Sequence, residues 1–173
     1  MDLRKWNVLI GFVLFIGLSA CGYGLQGRNT SLPPEIQTIT IPTMVNQTLE
    51  AGIENVFTEA VIREFNLDRR LKVVREKHAD SILTGSIQDF SISSISYDTA
   101  GLALEYRAQV TVGLILRRVD TREILWEAPA LREHDEYRAS SDVLTNEGRK
   151  EEAIEEIARQ LAETIHDLIV ERF

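Results

Sequence analysis

The stretch that most limits what this chain can fold into runs from Leu102 to Val119. There Tyr106, Ala108, Val110, Val112, Leu114 and Leu116 take alternate positions, with Glu105, Arg107, Gln109, Thr111 and Arg117 between them. Successive side chains of a strand point to opposite faces, so this is a long strand with one apolar and one polar side. Such a strand belongs in an antiparallel sheet covered on one face and wet on the other. The cover has to come from elsewhere in the chain.

Two stretches can supply it. Leu49, Ile53, Val56, Phe57, Ala60, Val61 and Phe65 recur at three- and four-residue steps, which predicts an amphipathic helix over 48–65. Thr48 is its expected N-cap, and Glu50 suits the positive end of the dipole. Ile154, Ile157, Ala158, Leu161, Ile165, Leu168 and Ile169 form a second stripe, which predicts a helix over 147–172 after a polar break that begins at Ala139.

The remaining signals are β. Ile36–Ile41 reads as a strand stopped by Pro42, and Arg69–Arg75 as a short strand with a basic lead-in. Ala79–Tyr97 reads as a long strand in which Gly85 marks a bulge or a close backbone contact. Asp98–Gly101 and Val119–Glu123 are turns. A strand from Ile124 continues towards Tyr137, and Pro129 confines it to a sheet edge or breaks it. The order is strand, helix, three or four strands, helix. It predicts an α+β two-layer sandwich, with two amphipathic helices packed on one face of a mostly antiparallel sheet of about four strands. The uncovered sheet face and the long hairpins are where a binding surface is expected.

The N-terminus carries a different signal. Arg4 and Lys5 precede an apolar run from Val8 to Leu18, and Ser19-Ala20-Cys21 closes it. A charged lead and a short apolar run ending in small residues describe a secretory signal, and the run is too short to span a bilayer. Cys21 is the single cysteine of the chain, so it has no disulfide partner. The site is similar to a bacterial lipobox, which implies cleavage before Cys21 and acylation with diacylglycerol and a further chain such as palmitate. Two or more chains anchor stably where one is marginal. Gly22, in place of Asp, favours the outer membrane by the same resemblance. The organisation expected is a signal peptide over 1–20, an acylated Cys21 with a Gly- and Pro-rich tether over 21–34, and one domain over 35–173.

Charge then excludes some partners. The chain has 19 basic and 27 acidic residues; losing residues 1–20 removes Arg4, Lys5 and Asp2 and leaves 17 against 26. A net-acidic domain is no nucleic-acid binder, and the same sign argues against simple coating of anionic lipid. Catalytic patterns are also missing. His78, His134 and His166 match no metal-ligand spacing, and His166 reads as a surface histidine. Arg132–Glu136 reads as a solvated strand end, with no cysteine or second histidine to make an acid–base site. No glycine-rich phosphate loop or serine elbow occurs, so neither metal nor cofactor is expected and the chain is not read as an enzyme. Arg69-Arg70-Lys72 and Arg117-Arg118 are either ordinary surface charge or a patch for a phosphorylated glycolipid.

The ordered residues resemble the LptE family of lipopolysaccharide-assembly lipoproteins. The resemblance rests on Cys21-Gly22-Tyr23-Gly24-Leu25, Leu32-Pro33, Ile39-Thr40-Ile41-Pro42 and Asn46-Gln47-Thr48. It continues through Ala79-Asp80, Leu83–Ile87, Glu105-Tyr106-Arg107, Ile124-Leu125-Trp126 and Glu136-Tyr137. It implies a non-enzymatic lipoprotein held on the periplasmic side of the outer membrane. It further implies a plug and assembly factor within an LptD-like β-barrel, aiding insertion of lipopolysaccharide into the outer leaflet. Any direct lipopolysaccharide contact is expected at Arg107, Arg117 and Arg118. The alternative is an envelope lipoprotein that binds glycan or glycolipid without a barrel.

Overall fold

The alternating stretch is the central strand of the sheet. In the computed structural model, which describes residues 32–170, six strands and two α-helices form two layers. Cys21, the signal peptide and the tether up to residue 31 lie outside the described residues. In chain order the elements are β1 (Thr38–Thr40), β2 (Val45–Asn46), α1 (Ile53–Asp68), β3 (Lys72–Val73), a 3-10 turn (Glu76–His78), β4 (Ser81–Tyr97), β5 (Ala103–Arg118), β6 (Ile124–Arg138) and α2 (Val143–Val170).

The sheet runs β3-β1-β4-β5-β6, and β2 lies on the same edge of β4 as β1. β4, β5 and β6 are antiparallel hairpin neighbours. The pairs β1–β3, β1–β4 and β2–β4 are parallel. This corrects the expected four-stranded, mostly antiparallel sheet to a mixed sheet of six. The three strands at the parallel edge have three, two and two residues, too few to show an alternation. Their direction follows from connectivity: α1 lies between β1 and β3, and a crossover helix joins parallel strands.

One face of β5 is sealed. Ala108, Val110, Val112, Leu114 and Leu116 are at most 1% exposed, and α2 covers them together with β6. α1 packs beside α2 through Ile53, Phe57, Val61 and Phe65. The partner stripe of α2 is Ile154, Ile157, Ala158, Leu161, Ile165 and Ile169. The outer side of α2 carries Glu156, Arg159 and Glu163 in i,i+3 and i,i+4 pairs, and the bidentate Arg159 guanidinium, then the Gln160 amide, draw the Glu156 carboxyl down to about 2.

The helix starts differ from expectation. α1 begins at Ile53, with Gly52 at φ 85° as its N-cap. Thr48 is engaged elsewhere: its N–H and O–H both donate to Asn46 Oδ1 at 2.8 Å. Asn46 Nδ2 in turn donates to the Glu50 carbonyl at 2.7 Å and to Glu54 at 3.0 Å. That side-chain turn competes with helix over 48–52, and Leu49 ends fully exposed instead of on the apolar face. α2 begins four residues early, at Val143, because Asp142 Oδ1 accepts the Thr145 N–H at 2.8 Å.

Gly85 is the close contact, not the bulge. Its pairing with Leu114 is in register, and a Cβ there would lie 3.0 Å from Met44 Cγ. The β4 bulges fall at Gln88 and Ile95, between the paired residues on either side. Pro129 sits on the edge strand β6 beside a register shift, as its ring requires.

The parallel edge is fastened by one carboxylate. Asp80 Oδ2 accepts the Thr38 O–H at 2.7 Å, the Thr38 N–H at 2.9 Å and the Gln37 N–H at 3.1 Å. The Asp80 N–H returns a bond to Thr38 Oγ1 at 2.9 Å. The Thr38 hydroxyl, then the Gln37 amide, hold the Asp80 carboxyl below the ordinary 3.8. A depressed carboxyl contributes stability above its unfolded value and loses it as pH falls through the folded one. Asp80→Ala is expected to destabilise the fold by about 2 kcal/mol at neutral pH. The loss should shrink on acidification below the ordinary value of 3.8, measured by urea unfolding across pH.

Candidate functional site

The uncovered face of β4–β5–β6 is polar over the hairpin half, while Ile82, Ile115 and Ile124 share it towards the start of β4. Asp89, Ser91 and Ser93 on β4 pair with Thr111, Gln109 and Arg107 on β5, which pair in turn with Arg132, His134 and Glu136 on β6. The Arg132–Glu136 cluster is therefore split: Arg132, His134 and Glu136 join this face, while Glu133 and Asp135 stand opposite core residues Val110 and Ala108. Thr111 is buried although it lies on the open side, between Asp89 and Arg132 in register.

The three arginines singled out from the sequence do not converge. Arg107 donates through Nη2 and Nε to Glu136 Oε1 at 2.7 and 3.0 Å, across the β5–β6 ladder. Arg117 shares that face but lies ten positions on, about 33 Å along the strand. Among the described residues it has no ion pair. Arg118 follows Leu116 in the alternation and so belongs to the opposite face. Its guanidinium reaches Glu35 Oε1 at 3.0 Å and Asp120 Oδ1 at 3.3 Å. It lines a hollow of about 250 Å³ with Ile36, Ala79 and Asp80. Arg118 thus ties the segment leading into β1 to the end of β5.

A second hollow, of about 310 Å³, opens on the polar face between Thr84, Gln88, Gly113, Ile115, Glu127 and Pro129. Gln88, the bulge residue, lies across Gly113 and donates to the Pro129 carbonyl at 3.0 Å. A Cβ at Gly113 would come within 2.3 Å of its amide nitrogen, so glycine is what lets one side chain bridge three strands.

His166 is a correction. It is 5% exposed, in the α2 stripe, where the sequence suggested a surface position. Its Nε2 lies 2.9 Å from Asp68 Oδ2 at the end of α1, and its ring meets Phe65 edge-on at 5.2 Å. Asp68 also takes Arg70 Nε at 2.6 Å. The spacing Ile165-His166-Ile169 placed it beside the stripe, but the carboxylate that makes burial tolerable lies 98 residues earlier, beyond any local pattern. Among the described residues no group of three His, Cys, Asp or Glu could hold a metal. No described helix is long and apolar enough to cross a membrane.

This two-layer arrangement is found in bacterial lipoproteins of known structure. It is similar to lipoprotein B from Nitrosomonas europaea (TM-score 0.53, 16% identity, 83% of this chain and 87% of that one). Rare lipoprotein B from Shewanella oneidensis gives a TM-score of 0.50 at 16% identity over 73% and 89% of the two chains. A lipoprotein from Caulobacter crescentus gives 0.53 at 15% identity over 72% and 83%. Such identities speak to fold alone. No curated protein matches the sequence. The family is settled by a further finding: the chain belongs to the LptE lipopolysaccharide-assembly family, whose model matches residues 36–169.

Many of the residues carrying the family resemblance are structural nodes: Asn46 and Thr48 in the loop before α1, Asp80 at the β1–β4 clamp, and Tyr106 with Tyr137, whose rings lie 5.5 Å apart. His166 belongs with them as a buried link between helices. His166→Ala is expected to cost about 2–4 kcal/mol in urea unfolding. His166→Phe should cost less, because it keeps the packing on Phe65 and gives up the Asp68 and Asp167 contacts.

Proposed function

We propose that this chain is the lipoprotein subunit of a lipopolysaccharide translocon. Acylated at Cys21, it is held on the periplasmic side of the outer membrane and fills the lumen of an LptD-like β-barrel as plug and assembly factor. In that place it aids the passage of lipopolysaccharide to the outer leaflet, and its part is structural, not catalytic.

Family membership supports the assembly role. The observation that carries the plug is that the midsection of the body is polar on both outer faces. The sheet face shows Arg107, Gln109, Arg132, His134 and Glu136, and the far side of α2 shows Glu151, Glu152, Glu155 and Arg159. The lumen of an outer-membrane barrel is polar and wet, unlike its lipid-facing band. β4 has 17 residues, which gives a stiff body about 50 Å long that can run through such a lumen. Direct contact with lipopolysaccharide would fall to Arg107 and Arg117 on the open face. Arg118, engaged by Glu35 and Asp120, is the least available of the three.

The hollow at Gln88 and Glu127 favours one second reading, a glycan- or glycolipid-binding lipoprotein that works without a barrel. Affinity purification of the natively acylated chain from detergent-solubilised outer membranes separates the two. A plug brings one large β-rich membrane protein in equimolar amount, whereas a free-standing binder comes alone. In the same preparation Cys21→Ser should leave the chain in the periplasmic fraction; a variant still held in the membrane would contradict the acyl anchor.

A further inference from the structure

Net charge hides an uneven distribution. Residues 69–77 hold five cations, Arg69, Arg70, Lys72, Arg75 and Lys77, against one acid, Glu76. All five are exposed, and only Arg70 has an ion-pair partner among the described residues. The topology fixes where they lie. β1, β3 and β4 are parallel, so their starts share one end of the sheet with the end of β5 and the start of β6. Arg69 and Arg70 precede β3 at that end, and Arg122 stands exposed in the β5–β6 turn, also without a partner among the described residues. Four strand spacings separate β3 from β6, so the cations are spread over about 19 Å.

Apolar side chains stand among them. Leu67 is 71% exposed at the end of α1, and Ile124 is 50% exposed at the start of β6. The opposite end is built otherwise. Its exposed apolar residues Tyr97, Leu102, Val143 and Leu144 stand beside Asp98, Glu105, Asp142 and Glu147.

The chain enters the domain at the basic end. The Lys72 N–H donates to the Gln37 carbonyl at 3.0 Å, and Lys72 pairs with Thr38, six residues after Leu32. Only ten residues, 22–31, separate Cys21 from Leu32. Fully extended they span about 35 Å. A chain acylated at Cys21 therefore holds this end, and not the opposite one, towards the lipid surface.

We propose that the Arg69–Lys77 segment, with Arg122 and the flanking Leu67 and Ile124, is a docking surface for the anionic phospholipid head groups of the leaflet that carries the anchor. The argument for the leaflet rests on the acyl-anchor reading; the affinity for anionic phospholipid does not. Exposed cations that are free of internal partners attract an anionic surface at short range, while interspersed apolar side chains enter the interface. Carboxylates also stand at this end: Glu35 and Asp120 are engaged by Arg118, Asp68 by Arg70 and His166, and Asp80 by Thr38, while Glu76 and Glu123 stand among the exposed cations. The surface would hold this end at the head-group level of the leaflet that carries the anchor, at the mouth of the lumen into which the long hairpin reaches.

Two chains test it. The full acylated chain should float with purely zwitterionic vesicles through its anchor, and failure there overturns the anchor alone. The full-length mature chain with Cys21→Ser should float with phosphatidylcholine vesicles only when phosphatidylglycerol is added, and added salt should release it. Replacing Arg69, Lys72, Arg75 and Lys77 together by Ser should weaken that binding by at least about tenfold. Replacing Arg63, Arg132 and Arg138 by Ser removes three charges against four and should leave binding close to the parent. Both variants alter exposed positions, and a matching circular-dichroism melt confirms that they fold. Equal binding by the two variants, equal binding to zwitterionic and anionic vesicles, or binding only when lipid A replaces phosphatidylglycerol would overturn the proposal.

Discussion

Everything in this molecule depends on a sheet that can be sealed on one face only. β5 sits between β4 and β6, so its backbone groups are satisfied on both sides along most of its length. Its helix-facing residues from Ala108 to Leu116 are almost completely buried. Among the described residues the two helices supply the other large apolar surfaces, and their stripes are matched to that face and to each other. The opposite sheet face is left to water or to a partner. Burial of the first face sets the register, since a one-residue slip would turn Arg107 and Arg117 into the core.

That constraint explains what could be read from the residue order and what could not. Alternation over β5 and the stripe of α2 are long, so both elements, and the layer that one makes on the other, are legible from period alone. Pro129 marked an edge strand or a break and Gly85 a bulge or a close contact for reasons written in their own chemistry, and the structure takes the edge and the contact. The parallel edge was not legible, because β1, β2 and β3 show no period and take their direction from a crossover. The start of α1 was missed for a different reason. Thr48 is a good cap, yet Asn46 two residues earlier takes its N–H and O–H and holds the loop out of the helix. His166 needed Asp68 and Phe65, which are distant in sequence.

The candidate site follows the same division. Arg107, Arg117 and Arg118 were grouped by residue type on one strand. The pleat separates Arg118 from the other two, and strand length separates Arg107 from Arg117. Partners outside the strand then decide what each can do: Glu136 engages Arg107, and Glu35 with Asp120 engages Arg118. Four exposed cations without ion-pair partners among the described residues, Arg69, Lys72, Arg75 and Lys77, lie together where a short edge strand brings them beside the segment that leads into β1. The described body thus has a hairpin end and an end where the chain enters, and its midsection is polar on both layers.

A polar midsection on both layers is what a plug surrounded by a barrel wall requires, and it is the feature on which the functional account rests. The most direct test places a photo-cross-linking residue at Gln109, on the sheet face, or at Glu155, on the outer face of α2, in cells making the native assembly. The account predicts that both positions capture one and the same outer-membrane barrel protein. Capture from one face only, or from neither, would contradict a plug and leave a protein that sits beside its partner or works without one.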